Sequence, residues 1–311
     1  MVTLPYQPPV SNLLSYGPCK GSKVSDWPNY VEALALTADH IPDLIELVQD
    51  ATLWQFWDET QTEDDLPELD AEVDPFSAPI HAWRALGQLK AIAAIPVLIQ
   101  VLVQQDVDWC WDELPDVFML IGPEAISPLQ AAISDPDIPD ESKFTLGDGM
   151  AKIAGLYPDS RDDCVRALTD CLAMSEQNSP DVNGSICCNL LDLKAVESAP
   201  VIEAAYENNQ VNLRFAGTWA TVQIELGLKT KEDFEPKDFE LPYDPKLDRI
   251  RDYLDQLERA KKPTAWEIGL PIDRHVFDQD APPAFKALVR SPKPEVPWLW
   301  RSGNPREKAE K

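Results

Sequence analysis

Three histidines and six cysteines are the side chains here best suited to nucleophilic, general-base or metal chemistry, and their spacing assembles none of the three. His40 and His81 flank apolar runs of helical period, where an imidazole packs or hydrogen-bonds, and His275 lies far from both. Cys19, Cys110, Cys164, Cys171, Cys187 and Cys188 contain no Cys-x-x-Cys pair. Cys164 and Cys171 share one apolar helix face with Val165, Leu168 and Leu172, so they read as small core residues in a reducing compartment. Adjacent Cys187 and Cys188 cannot both face inward on one helix, which predicts that one of them is accessible. There is no Gly-x-Ser-x-Gly, no phosphate-cradling glycine loop and no His-Glu-x-x-His. Gly147-Asp148-Gly149 lacks the third glycine of a dinucleotide site, and Asp106-x-Asp108 lacks the glycine that turns a calcium loop. The reading is of a non-enzymatic protein with no catalytic residue, no metal ligand and no cofactor.

Recognition chemistry is better represented. Trp-Asp-Glu occurs twice, as Trp57-Asp58-Glu59 and Trp111-Asp112-Glu113. With Trp54, Trp109 and Phe56 these residues make a candidate aromatic ridge edged by carboxylates, suited to a protein partner with a basic or amphipathic segment. The competing reading is that the rings plug joints between neighbouring structural units. A second aromatic set, Trp298 and Trp300, sits among Lys286, Arg290, Lys293, Arg301, Arg306, Lys308 and Lys311. That stretch either packs back on the acidic part of the chain or binds a partner.

The charge narrows the choice of partner. The net charge is −27, and residues 24–83 hold fifteen acids with no Lys or Arg, as residues 91–142 hold ten. Such a surface repels nucleic acid and anionic lipid, because both are bound through basic side chains. It serves either solubility or the steering of a basic partner. No window approaches 18 uninterrupted apolar residues, so no membrane insertion is expected. The segment from Met1 to Tyr6 lacks a basic flank followed by an apolar run, which predicts a cytoplasmic protein.

The elements that would position these residues are set by an internal repeat. Ile41-Pro42-Asp43-Leu44-Ile45-Glu46-Leu47-Val48 aligns without a gap on Ile95-Pro96-Val97-Leu98-Ile99-Gln100-Val101-Leu102. The same register places Trp57-Asp58-Glu59 on Trp111-Asp112-Glu113, just beyond the second helix of each unit. Gln88-Leu89-Lys90-Ala91 before Pro96 matches Asp192-Leu193-Lys194-Ala195 before Pro200, and Ile121-Gly122 through Pro128-Leu129 repeats the motif in shorter form. The prolines stand 54, 32 and 72 residues apart, the last interval being twice 36 with Asp163-Cys164-Val165 near its midpoint. Each unit reads as two helices. The first is expected to close at Leu86-Gly87 or Ile121-Gly122, where glycine allows a left-handed turn, and the second opens with proline in its first turn.

Ala85 through Ile99 resembles the HEAT repeat, in the short variety found in phycobilisome lyases. The resemblance covers about two thirds of the chain. It implies an all-α, right-handed α-solenoid of stacked helical hairpins. On that fold Gln100 and Gln104, with Glu46, Gln49, Glu203 and Glu207, line the inner helices of a scaffold or assembly factor. The alternative function it implies is a phycobilin lyase or bilin chaperone, with acids and tyrosines near the pigment. The expected organisation is an N-terminal extension (1–28), a repeat region (29–228) with an acidic insertion (58–78), and a Pro-rich C-terminal extension (229–311). The extension contains eleven prolines and one amphipathic capping helix over about 245–260.

Overall fold

Proline and glycine punctuation cuts the chain into short helices, each too short to be stable alone and each carrying an apolar stripe. The computed structural model describes residues 4–241 except 59, 60, 63, 64, 70, 71 and 106. The α-helices are α1 (Tyr30–Ala33), α2 (Ile41–Val48), α3 (Ala51–Trp54), α4 (Ala78–Gln88), α5 (Ile95–Gln104), α6 (Asp108–Ile121) and α7 (Ile126–Ile133). They continue as α8 (Asp140–Leu156), α9 (Arg161–Ala173), α10 (Pro180–Asp192), α11 (Ala199–Glu207), α12 (Leu213–Ala216) and α13 (Trp219–Glu225). Among the described residues there is no strand, and no helix is long and apolar enough to cross a membrane. The chain divides after Phe234. Of the second part, residues 235–241 are described and contain one 3₁₀ turn, Pro236–Phe239. The capping helix expected over 245–260, Glu59, Trp298, Trp300 and the basic stretch beyond residue 286 lie outside the described residues.

Within the first part the helices pack in two rows. One row runs α4 on α6, α6 on α8, α8 on α10, and α10 on α12. The other runs α2 on α5, α5 on α7, α7 on α9, and α9 on α11. Helices of the second row also contact the first-row helix that follows them: α2 on α4, α5 on α6, α7 on α8, and α9 on α10.

The second-row helices begin alike. Each follows a 3₁₀ turn, and Pro42, Pro96 and Pro200 occupy the first turn, where a missing N–H costs nothing. The fourth residue of each (Leu44, Leu98, Leu129, Cys164 and Ile202) is fully buried, and the seventh (Leu47, Val101, Ala132, Ala167 and Ala205) is buried as well. This register accounts for the 72-residue interval in the sequence. The pair α8 and α9 fills it, with Arg161 and Cys164 standing where other units have isoleucine or alanine and leucine or isoleucine.

Two sequence expectations are corrected. Gly87 does not close α4: it lies inside the helix, where an added Cβ would sit 3.3 Å from Val117 and Leu120 of α6. Its role is close approach of the two helices. The left-handed residue is Lys90 (φ 53°), and Lys194 (φ 52°) has the same role after α10. In both turns the next amide donates back over the last turn, Ala91 N–H to Leu86 O and Ala195 N–H to Leu190 O, each at 2.9–3.0 Å. Gly122 (φ 109°) does end α6 as expected. The second correction concerns Cys187 and Cys188, which are both buried. Helix α10 packs against α8, α9 and α12, so it has no solvent face at that level for either thiol.

The repeated buried position generates a stability test. Leu98→Ala should cost about 2–5 kcal/mol, because it removes a fully buried side chain between helices. Ile92→Ser, six residues earlier on the exposed turn, should change stability by about 0.5 kcal/mol or less. Chemical denaturation of both variants measures the contrast, and equal losses would remove the two-row packing as its cause.

Candidate functional site

Helix α4 is buried along nearly its whole length, yet it carries a polar row at helical spacing: Ser77 just before it, then His81, Arg84 and Gln88. This row binds the backbone of the N-terminal segment. Ser77 Oγ accepts from Cys19 N–H at 3.1 Å, and His81 Nε2 pairs with Gly17 O at 2.8 Å. Arg84 Nη2 donates to Gly21 O at 2.7 Å. Gln88 donates to Pro28 O at 2.8 Å and accepts from Tyr30 N–H at 2.9 Å. Residues 4–28, expected to be a plain extension, are thus folded onto α4, with Val10, Leu13, Leu14 and Trp27 buried.

Arg84 sits at the centre. Its side chain and that of Glu113 on α6 are both 0% exposed. Arg84 Nε donates to Glu113 Oε2 at 2.8 Å, Nη2 donates to Oε1, and Trp83 Nε1 adds a third bond to Oε2 at 2.9 Å. The guanidinium lies 5.0 Å from the ring centre of Trp27 and 5.6 Å from that of Trp109, so two indole faces enclose it. Burial pushes the Glu113 carboxyl up, against the pull of the Arg84 and Trp83 N–H groups. Burial also opposes the Arg84 charge, and Glu113 more than reverses this, holding the guanidinium above its ordinary value. Charge, geometry and enclosure make this a buried bidentate pair joining α4 to α6.

Around it lies a grouping of nucleophile and base types: His81, Tyr30 and Cys19. A carbonyl only accepts, so His81 Nε2 carries the proton that Gly17 O receives, and Nδ1 of the neutral ring accepts from Tyr30 OH at 2.6 Å. Cys19 Sγ lies 3.6 Å from the same ring and donates toward Ser77 O at 3.7 Å. Burial holds His81 below its ordinary value, and the nearby Arg84 charge adds to this, while Gly17 O and Asp74 oppose it. Burial pushes the Cys19 thiol up to about 12, with Glu113 and Asp74 acting in the same sense against Arg84 and Ser77. A protonated thiol beside a neutral imidazole whose two nitrogens are engaged is not an activated nucleophile. The group fastens a segment. Among the described residues no group of three or more His, Cys, Asp or Glu side chains is placed to hold a metal ion.

The structure divides the predicted ridge. Trp57 ends a 3₁₀ turn after α3, whereas Trp111 lies in the first turn of α6, so the two Trp-Asp-Glu runs do not occupy equivalent elements as expected. Trp54 is buried and stacks on Trp83 with ring centres 6.3 Å apart. Trp57 packs on Trp54 and Phe76, and Trp109 covers Arg84. Glu113 is corrected from an edge residue to the buried partner of Arg84. Trp111 (37% exposed), Asp112 and Asp58 face outward. Gln100 and Gln104 are exposed on α5, as are Glu46 and Gln49 around α2 and Glu203 and Glu207 on α11. Compared with known proteins, the chain matches no family model, no curated protein and no solved structure.

Removing one partner of the enclosed pair strands a charge. Glu113→Ala should therefore lose about 3–5 kcal/mol, while the double change Arg84→Met with Glu113→Leu should recover most of that loss. Denaturant midpoints of the two proteins test this, and a single variant losing less than about 1 kcal/mol would show the pair to be solvated.

Proposed function

We propose that the chain is a non-enzymatic scaffold or assembly factor that binds a protein partner through an acidic helical surface. Its fold on this reading is a right-handed α-solenoid of HEAT-like repeats. The fold reading is supported by the recurrence of one unit: a first-row helix, a tight turn, a 3₁₀ turn, and a second-row helix with buried fourth and seventh residues. Such units cannot bury their stripes alone, and stacking lets each cover the next.

The observation that carries the functional reading is where the charge resides. Residues 1–241 hold 42 of the 54 acids and 13 of the 27 bases. Five of these bases are paired within the first part of the chain: Arg84 to Glu113, Lys152 to Asp116, Arg161 to Asp162 and Glu197, Arg166 to Asp163, and Lys194 to Glu225. Exposed acids recur along the second row, with Asp43 and Glu46 on α2, Asp162, Asp163 and Asp170 on α9, and Glu203 and Glu207 on α11. Gln100 and Gln104 on α5 continue that face as uncharged donors and acceptors. A field of this sign draws a basic segment and repels nucleic acid. Exposed Trp111 beside Asp112 supplies an aromatic contact of the kind that anchors such a segment.

The test is binding to a synthetic, lysine-rich amphipathic peptide, followed by fluorescence anisotropy. Affinity should fall at least about tenfold when Asp162, Asp163, Glu203 and Glu207 are together changed to Asn and Gln, and it should weaken steeply as salt is raised. Equal binding by the neutralised protein, or tighter binding of duplex DNA than of the peptide, would reject the proposal.

A further inference from the structure

The loop between Tyr16 and Asp26 lies over the fully buried Arg84 and Glu113, held by the ring of Tyr16 against Tyr30 and His81 and otherwise by polar contacts. No residue from 16 to 26 is buried, whereas Leu13 and Leu14 before it and Trp27 after it are. Its attachments to the α4 row are the hydrogen bonds of Gly17 O, Cys19 N–H and Gly21 O to His81, Ser77 and Arg84. Bonds of this kind add little net stability against water, so the loop can part from α4 while its apolar anchors stay in place.

We propose that residues 16–26 form a lid over the Arg84–Glu113 pair, and that acidification opens it by protonating His81. The groups facing this imidazole are Tyr16 and Cys19 of the loop, Tyr30 of α1, Arg84 on α4 and Asp74 before it, with Glu113 of α6 beyond Arg84. A proton from solvent arriving on Nδ1 removes the acceptor of the Tyr30 hydroxyl. It also places an imidazolium beside the Arg84 guanidinium in an enclosed site, where like charges repel strongly. Hydration of the opened site relieves that repulsion. It also supplies acceptors for Arg84 Nη1 and Trp27 Nε1, two buried donors that have no hydrogen-bond partner among the described residues.

The sign follows from proton counting. The open state holds an ordinary histidine, titrating near 6.5, and the closed state holds one whose affinity for the proton is lower. The open state therefore binds more protons, and its population rises as pH falls below about 6.5, by up to about tenfold per pH unit until the closed form titrates too.

Cys19 reports the event, because it lies in the loop while the other five cysteines are buried in α6, α9 and α10. The full chain is treated with dithiodipyridine, which reads thiols in acid, at pH values from about 7.5 to 5, with rates normalised to free cysteine. The modified sites are then mapped by mass spectrometry. Cys19 should react at least about tenfold faster at pH 5 than at pH 7.5, while Cys110, Cys164, Cys171, Cys187 and Cys188 stay protected. His81→Gln keeps a donor and an acceptor without the titration and should flatten the profile. A flat wild-type profile, a rise of all six cysteines together, or an unchanged rise in a folded His81→Gln protein would each overturn the proposal. The wild-type measurement decides the matter should that variant not fold.

Discussion

Arg84 is tolerable in the interior only because Glu113 is buried with it, and the two meet only when α4 and α6 lie side by side. That condition ties together parts of the chain far apart in sequence. The guanidinium reaches the N-terminal loop at Gly21 O, the Glu113 carboxylate receives the Trp83 indole, and Trp27 and Trp109 close over both faces of the cation. Gly87, three residues past Arg84, lets α6 approach closely enough for the pair to form, since a side chain there would press on Val117. A small residue and an ionic pair on one helix therefore serve the same contact.

Beyond this first junction the stack continues with apolar contacts and smaller polar ones. Leu98, Leu129, Cys164 and Ile202 fill the same place in successive second-row helices, each fully buried. Salt bridges join neighbouring units as well: Lys152 of α8 reaches back to Asp116 of α6, and Arg161 of α9 reaches forward to Glu197 before α11. These exposed pairs contribute little individually, so the order of the rows rests on the buried stripe. The paired cysteines of α10 show the consequence. A helix flanked by α8, α9 and α12 buries adjacent residues, which a helix with one free face cannot do.

The repeat was legible in the sequence because proline in the first turn and leucine at the fourth position are local signals that survive divergence between units. Its fourth copy shows only as spacing, at the midpoint of the 72-residue interval near Asp163-Cys164-Val165, because Arg161 and Cys164 replace the residues that make the others recognisable, although the backbone pattern is unchanged. The helix stop was misplaced for a related reason. Glycine is the usual left-handed residue, and here lysine accepts that conformation at Lys90 and Lys194, so the glycine at position 87 drew the boundary too early. The candidate site was the least legible part. The sequence marks His81 only as a packed or hydrogen-bonded ring and gives Ser77, Arg84 and Gln88 no motif, because their partners are backbone groups of an N-terminal segment about sixty residues earlier. Glu113 shares its Trp-Asp letters with Glu59, a likeness that suggests an edge residue, but Trp111 lies inside α6 whereas Trp57 ends a 3₁₀ turn, so the two tryptophans stand in different elements.

The distribution of charge follows from the packing. A two-row stack has a large surface for its length, and that surface must be polar to keep the rows from associating edge to edge. Either sign would serve solubility. Arg84, Lys152, Arg161 and Lys194 form pairs that link one helical element to another, while Lys20, Lys23 and Lys231 stay exposed. Acids nevertheless recur along the second row, and self-repulsion among them costs stability that the buried stripes must offset. A binding surface for a basic segment recovers that cost when occupied, because the partner supplies the missing counter-charge. Arg84, fully buried on α4, is placed beneath the N-terminal loop. There its field is cancelled by Glu113 and leaves the outer face acidic.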